Sequence, residues 1–102
     1  MATFQVTYWQ EIPSQVDARE GRDKPHKEML GMRFQELIDI VASARKMGDA
    51  DAYISGWNKG PKETRDGSAS EVGKAVAAEF EARFDAIRSE ALQKTKSGEG
   101  SA

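Results

Sequence analysis

The chain has 102 residues, 15 Lys and Arg against 17 Asp and Glu, and no Cys. That length holds one core of two layers and no second domain. The formal charge of -2 supplies no global basic field to gather nucleic acid or acidic lipid, and the absence of Cys excludes disulfides, thiolate metal sites and a cysteine nucleophile.

From the N-terminus, Thr3 to Ile12 alternates, with Phe4, Val6, Tyr8 and Ile12 on one side and Thr3, Gln5, Thr7, Trp9 and Glu11 on the other, which is the period of a strand. Pro13 has no N–H for a ladder and marks a strand end. A second strand follows over Gln15 to Glu20, paired as a hairpin, with Val16 and Ala18 facing the core and Gly21, Arg22 and Asp23 as the exit turn. From Lys24 the period changes: Leu30, Phe34, Leu37, Ile38 and Val41 share one helical face, which predicts a helix from Pro25 to Met47 with Gly48 as its left-handed cap.

Residues 49–57 are ambiguous, because Asp49 can cap a short helix while Tyr53, Ile54 and Trp57 suit a strand; the aromatic and β-branched content favours the strand. Asn58 to Pro61 breaks it, and Pro61 to Ala69 has no apolar period and reads as a loop. Ser68 with Glu71 is a capping-box pattern, after which Val72, Val76, Phe80, Phe84, Ile87 and Ala91 form the stripe of a second long helix, with Glu79–Arg83 and Glu90–Lys94 as pairs on its wet side. Residues 1–95 are therefore expected to form one domain and 96–102 a disordered tail.

The expected fold class is α+β: a small, mainly antiparallel sheet in the order ββαβα, with two long helices packed on one face. If the helices cover Phe4, Val6, Tyr8, Val16, Ala18 and Ile54, the opposite face presents Trp9, Gln15, Asp17, Arg19, Tyr53 and Trp57, and large aromatics on an open sheet are what an interface hot spot needs. The competing structural reading packs the aromatics under a loop or lets Trp57 close one end of the core.

Chemistry-bearing residues do not assemble into a catalytic set in the sequence. His26 is the one histidine, in a polar stretch that suits a solvated ring. Asp49 and Asp51 lack the further oxygen ligands of a calcium loop, and Asn58 to Lys62 lacks the ending of a phosphate loop. Arg19, Arg22, Lys24, His26 and Lys27 form a local cationic cluster that could take an anion, but Glu20, Asp23 and Glu28 interleave with it and nearly cancel it. A small-ligand enzyme using Asp17, Arg19 and His26 would need partners the sequence does not show. No metal set is expected. The N-terminal residues have no signal-peptide pattern and no stretch approaches the roughly 20 apolar residues of a membrane span, so a cytoplasmic location is expected.

The string Tyr8-Trp9-Gln10-Glu11-Ile12-Pro13-Ser14-Gln15-Val16, then Arg33-Phe34, then Asp51-Ala52-Tyr53-Ile54 with Trp57, resembles the small bacterial domain family labelled "virulence factor", from about Thr7 to about Phe84. Members look like stand-alone proteins of this size or like the C-terminal domain of a HEAT-repeat conserved virulence factor. The resemblance implies an accessory subunit near corrinoid and tetrahydrofolate methyl-transfer proteins of one-carbon metabolism. It assigns no cofactor to the chain itself. The Asp-x-His-x-x-Gly pattern of a cobalamin ligand is absent, since His26 is followed by Lys27, Glu28 and Met29, so any corrinoid or folate belongs to a partner. The positions matched by the family transfer as a shared surface: Trp9, Gln15, Arg33, Tyr53 and Trp57.

Two functional expectations follow. The first is a non-catalytic interaction module that docks on a larger enzyme subunit through Trp9, Gln15, Arg19, Arg33, Tyr53 and Trp57. The alternative is a single-stranded nucleic-acid-binding domain that stacks bases on the aromatic sheet face, against which the net negative charge counts.

Overall fold

The computed structural model describes residues 1–21 and 25–101, with side chains described as far as Thr95. The exit turn expected at Arg22 and Asp23 lies outside these residues, and the tail expected over 96–102 lies beyond the described side chains. The elements in chain order are β1 (Ala2–Trp9), β2 (Ile12–Arg19), β3 (His26–Met29), α1 (Met32–Ala44), α2 (Ala50–Ser55), β4 (Trp57–Lys59), β5 (Glu63–Arg65), α3 (Ala69–Ala82) and α4 (Phe84–Ser101). The fold is α+β around an antiparallel sheet of order β3-β2-β1-β4, with β5 also on β1.

The first expected strand is cut short by a two-residue turn, Gln10 and Glu11, that pairs Trp9 with Ile12. Gln10 takes the left-handed φ of 55° that such a turn demands. Pro13, expected to end a strand, lies inside β2 opposite Tyr8, and Ser14 is an extra residue in the ladder. Counting back from the closing pair, Tyr8 and Pro13 occupy a position without cross-strand bonds, so the missing N–H costs nothing.

The helix expected from Pro25 starts late because His26 to Met29 pairs with β2 as an edge strand, leaving the helical period to begin at Met32. Gly31 has no side chain to cap α1, and Glu81 of α3 does so instead, its Oε2 accepting the Gly31 N–H at 2.6 Å. At the other end Lys46, at φ 59°, takes the left-handed place expected of Gly48, and the Met47 N–H closes on the Ala42 carbonyl at 2.7 Å.

The strand favoured over 49–57 is a short helix, α2, followed by β4, and Ile54, expected on the covered face of the sheet, is exposed on this helix. Asp49 caps it, accepting the Ala52 N–H at 2.9 Å. This single local hydrogen bond satisfies an orphan donor that a strand would not present. The loop expected over Pro61 to Ala69 contains β5. Together β4 and β5 run along β1 as one antiparallel edge with one residue extra between them, where the Gly60 N–H donates to Val6 at 2.9 Å. The second long helix is broken at Arg83. Its first half, α3, lies on the sheet, and its second half, α4, turns onto α1, with Phe84 edge-on to Phe34 at 5.0 Å. Glu79 does not pair with Arg83 but with Arg65 of β5, at 2.6 Å.

Phe4, Val6, Val16 and Ala18 meet Val72, Val76 and Ala77 of α3 in one buried cluster that also takes in Phe34, Leu37, Ile38 and Val41 of α1 and Ile87 and Ala91 of α4. The capping box is present in full, with Ser68 and Glu71 each bonding the other's backbone.

Candidate functional site

Strand alternation does place Trp9 on the face opposite Phe4 and Val6, as the sequence indicates, yet its exposure is 0%. The cause is α2, the segment read as a strand, which folds over that end of the face. The Trp9 ring lies 5.7 Å from that of Tyr53, and its indole N–H donates to the Tyr53 carbonyl at 2.8 Å. Trp57 is half-buried, edge-on to Tyr53 at 6.0 Å, so the three aromatics are drawn together by packing rather than displayed. Gly56 makes this closure possible: a Cβ there would stand 2.5 Å from the Trp9 indole. Gly56→Ala is accordingly expected to destabilise the domain by about 1–3 kcal/mol through overpacking, read as a lower urea midpoint, whereas an unchanged midpoint would mean that α2 can move off Trp9.

The remaining residues expected at the site separate. Arg33 sits at the junction of α1 and α3, where it bonds Glu81 and covers the Phe84 ring at 4.4 Å, a structural clamp. Gln15 and Arg19 stay on the open face of the sheet. There the register lines up rows across three strands: Arg19 beside Thr3, Lys27 beside Asp17 and Gln5, and Met29 beside Gln15 and Thr7. Gln15 donates to Asp17 at 3.1 Å, and the Gln5 side chain donates to the Gly60 carbonyl at 2.9 Å.

A groove of 930 Å³ lies along this face, with Gln5, Asp17, Arg19, Lys27 and Lys62 in its lining. Among the described residues three cations thus face one carboxylate. None of Arg19, Lys27 and Lys62 is in an ion pair within 4.0 Å among the described residues. Met29, one row along the same face from Lys27, is 60% exposed. The sequence reading put Lys27 in the cationic cluster and Lys62 in a loop, but not on the open sheet face with Met29, because the helical period that follows Leu30 masks the alternation His26-Lys27-Glu28-Met29 and because Lys62 lies in a stretch without apolar period.

The sheet also separates the residues of the small-ligand reading. His26 is on the α3 side, hydrogen-bonded to Glu28 at 2.8 Å and packed on Gly73, while Asp17 and Arg19 are on the other side. Of the five residues in the cationic cluster read from the sequence, Arg22 and Lys24 are outside the described residues, and Arg19 and Lys27 diverge from His26 across the sheet. Asp49 and Asp51 serve the start of α2, and no group of three or more metal-ligating side chains occurs among the described residues.

Shifted ionisations trace to structure. Burial pushes the Glu11 carboxyl up, but hydrogen bonds from Arg45 and from its own backbone, with the charges of Arg45 and Lys94, outweigh this and hold it below the ordinary value. The Arg65 bond lowers Glu79, and the Ser68 bonds lower Glu71.

No helix among the described residues is long and apolar enough to cross a membrane. A family model described as virulence factor matches residues 7–92. No curated protein and no solved structure matches the chain.

Proposed function

The chain belongs to the virulence factor family, and from that premise we propose that it is a non-catalytic accessory module whose open sheet face docks on a larger enzyme subunit. The observation that supports this most directly is the uncovered side of the sheet, where among the described residues Arg19, Lys27 and Lys62 outnumber Asp17 along a groove, with exposed Met29 one row beyond Lys27. Cations with no ion pair among the described residues, near an exposed apolar side chain, suit a protein surface rich in carboxylates, with charge setting orientation and Met29 adding buried area.

The class of partner comes from the resemblance: an enzyme of corrinoid- or tetrahydrofolate-linked methyl transfer, with the corrinoid or folate held by that partner and a shared cytoplasmic location. In this reading Trp9, Tyr53 and Trp57 support the docking face by fixing α2 against its far end, and Gln15 and Arg19 touch the partner.

Single-stranded nucleic acid binding has less support. It calls for rings on which bases can stack. Trp9 is enclosed, Tyr53 and Trp57 engage each other, and Phe4, the one aromatic residue along the groove, is 6% exposed.

The test is capture of the partner by tagged chain from the native cell, compared with an Arg19→Glu, Lys27→Glu double variant. The expected result is a larger enzyme subunit retained at equal stoichiometry by the parent and lost by the variant. The variant's melting temperature should stay within about 3 °C, since both side chains are exposed and neither is in an ion pair among the described residues. A variant that still retains the subunit, or a parent that retains none, overturns the proposal.

A further inference from the structure

The bonding pattern of β3 carries the docking reading further. Leu30 donates its N–H inward to the Ser14 carbonyl at 3.1 Å, and the register of β3 on β2 is unbroken from Gln15–Met29 to Ala18–His26. Backbone groups of an antiparallel strand alternate in direction, so Leu30, Glu28 and His26 bond β2 while the N–H and C=O of Lys27 and Met29 point away from the sheet. Lys27 and Met29 are also the β3 residues whose side chains lie on the open face. One edge therefore offers four backbone groups, a cation and an apolar side chain along the same strand.

We infer that this edge receives an extended, carboxylate-bearing segment of the docking partner as an added strand, with a carboxylate beside Lys27 and an apolar side chain beside Met29. The inference rests on the docking reading and names the chemistry of the partner. Strand addition gives affinity through main-chain bonds and specificity through alternate side chains. Here the side chain next to Lys27 also meets the field of Arg19 one row away.

A second copy of this chain does not fit the edge. Twofold registers centred on Lys27 or Glu28 set like charges directly opposite, which is unfavourable in a ladder. A register centred on Met29 carries the ladder to Gly31, whose N–H is already held by Glu81. The opposite edge of the sheet is interrupted by the extra residue at Gly60 and by Pro61, which breaks the run of donors.

The experiment is amide-resolved hydrogen exchange by NMR on the whole chain. The probe is a short peptide with glutamate and valine alternating along one face and threonine on the other; the control carries lysine in place of glutamate. In the free chain Lys27 and Met29 amides should exchange fast and Glu28 slowly. The glutamate peptide should slow Lys27 and Met29 about tenfold or more, an effect that weakens as salt is raised. Lys27→Pro removes an outward N–H together with the cation, and no bond to β2, so it should weaken binding about tenfold or more, at least the equivalent of one lost hydrogen bond. Absence of protection at Lys27 and Met29, equal protection by the lysine peptide, or undiminished binding by a folded Lys27→Pro overturns the inference. The parent's exchange pattern decides alone if Lys27→Pro does not fold. With the captured subunit, loss on Arg19→Glu, Lys27→Glu but retention by Lys27→Pro would sink strand addition and leave docking standing; retention by both would sink docking itself.

Discussion

Trp9→Ala is expected to cost about 3–5 kcal/mol of folding stability, the largest effect of any single substitution proposed for this domain. The indole is wholly enclosed, it packs against the tilted ring of Tyr53, and its N–H has a carbonyl partner. Truncation removes all three contributions. It also leaves the Tyr53 carbonyl with the Gly56 N–H as its remaining donor and opens a cavity between the sheet and α2. A domain of this size is stabilised by only about 5–15 kcal/mol in total, so the melting temperature should fall by roughly 12 °C or more. Trp57→Ala, at a half-buried position, should cost clearly less. If Trp9→Ala melts within a few degrees of the parent, α2 does not enclose Trp9 in solution. Loss of a partner by this variant would report unfolding, which is why the docking test uses Arg19 and Lys27.

The second large effect belongs to Arg45. Its guanidinium takes Glu11 in a two-pronged pair at 2.8 and 2.6 Å and bonds Thr95 Oγ1 at 2.8 Å, with a further bond to the Ala91 carbonyl. One side chain thus ties the β1–β2 turn and the end of α1 to α4. Arg45 is 17% exposed and Glu11 26%, so removing one partner strands the other in a poorly solvated place. Glu11→Ala is expected to destabilise by about 3 kcal/mol on that account, measured by urea unfolding at neutral pH.

The pH dependence has a definite sign. The folded Glu11 carboxyl lies below the ordinary glutamate value of 4.5, so the unfolded chain binds the proton more readily. Its stabilisation is complete above the unfolded value and is lost as pH falls through the folded one. Glu79, and Glu71 at its capping box, shift in the same direction. Stability should therefore decline from about pH 5 downward, and Glu11→Gln should flatten part of that decline while Glu71 and Glu79 preserve the rest. An identical slope in Glu11→Gln would mean that the pair does not contribute.

Much of the local structure was legible because neighbouring residues encode it. The alternation of Phe4 and Val6 against Thr3 and Gln5, the stripe from Phe34 to Val41, and the Ser68–Glu71 box each depend on interactions within a few positions of chain. Pairing decided the rest. His26 to Met29 has no strong preference of its own and became a strand because β2 offered it an edge. Asp49 could cap a helix or enter a turn, and contact of Tyr53 with Trp9 favoured the helix. The break at Arg83 has no proline or glycine to announce it and appears where α4 gains more by packing on α1 than by continuing along the sheet.

For the candidate site the same division holds. Gln15 and Arg19 were placed on the open face by strand alternation alone, and the sequence also sufficed to establish the family, the α+β class and the antiparallel pairing of the first two strands. Only the tertiary structure showed that Trp9 is closed in by α2, that Arg33 is spent on Glu81 and Phe84, and that Lys27, Met29 and Lys62 join Arg19 on one surface. The physical reason is range: alternation and capping are set by residues a few positions apart, whereas exposure depends on which distant segment happens to cover a face, and periodicity holds no record of that.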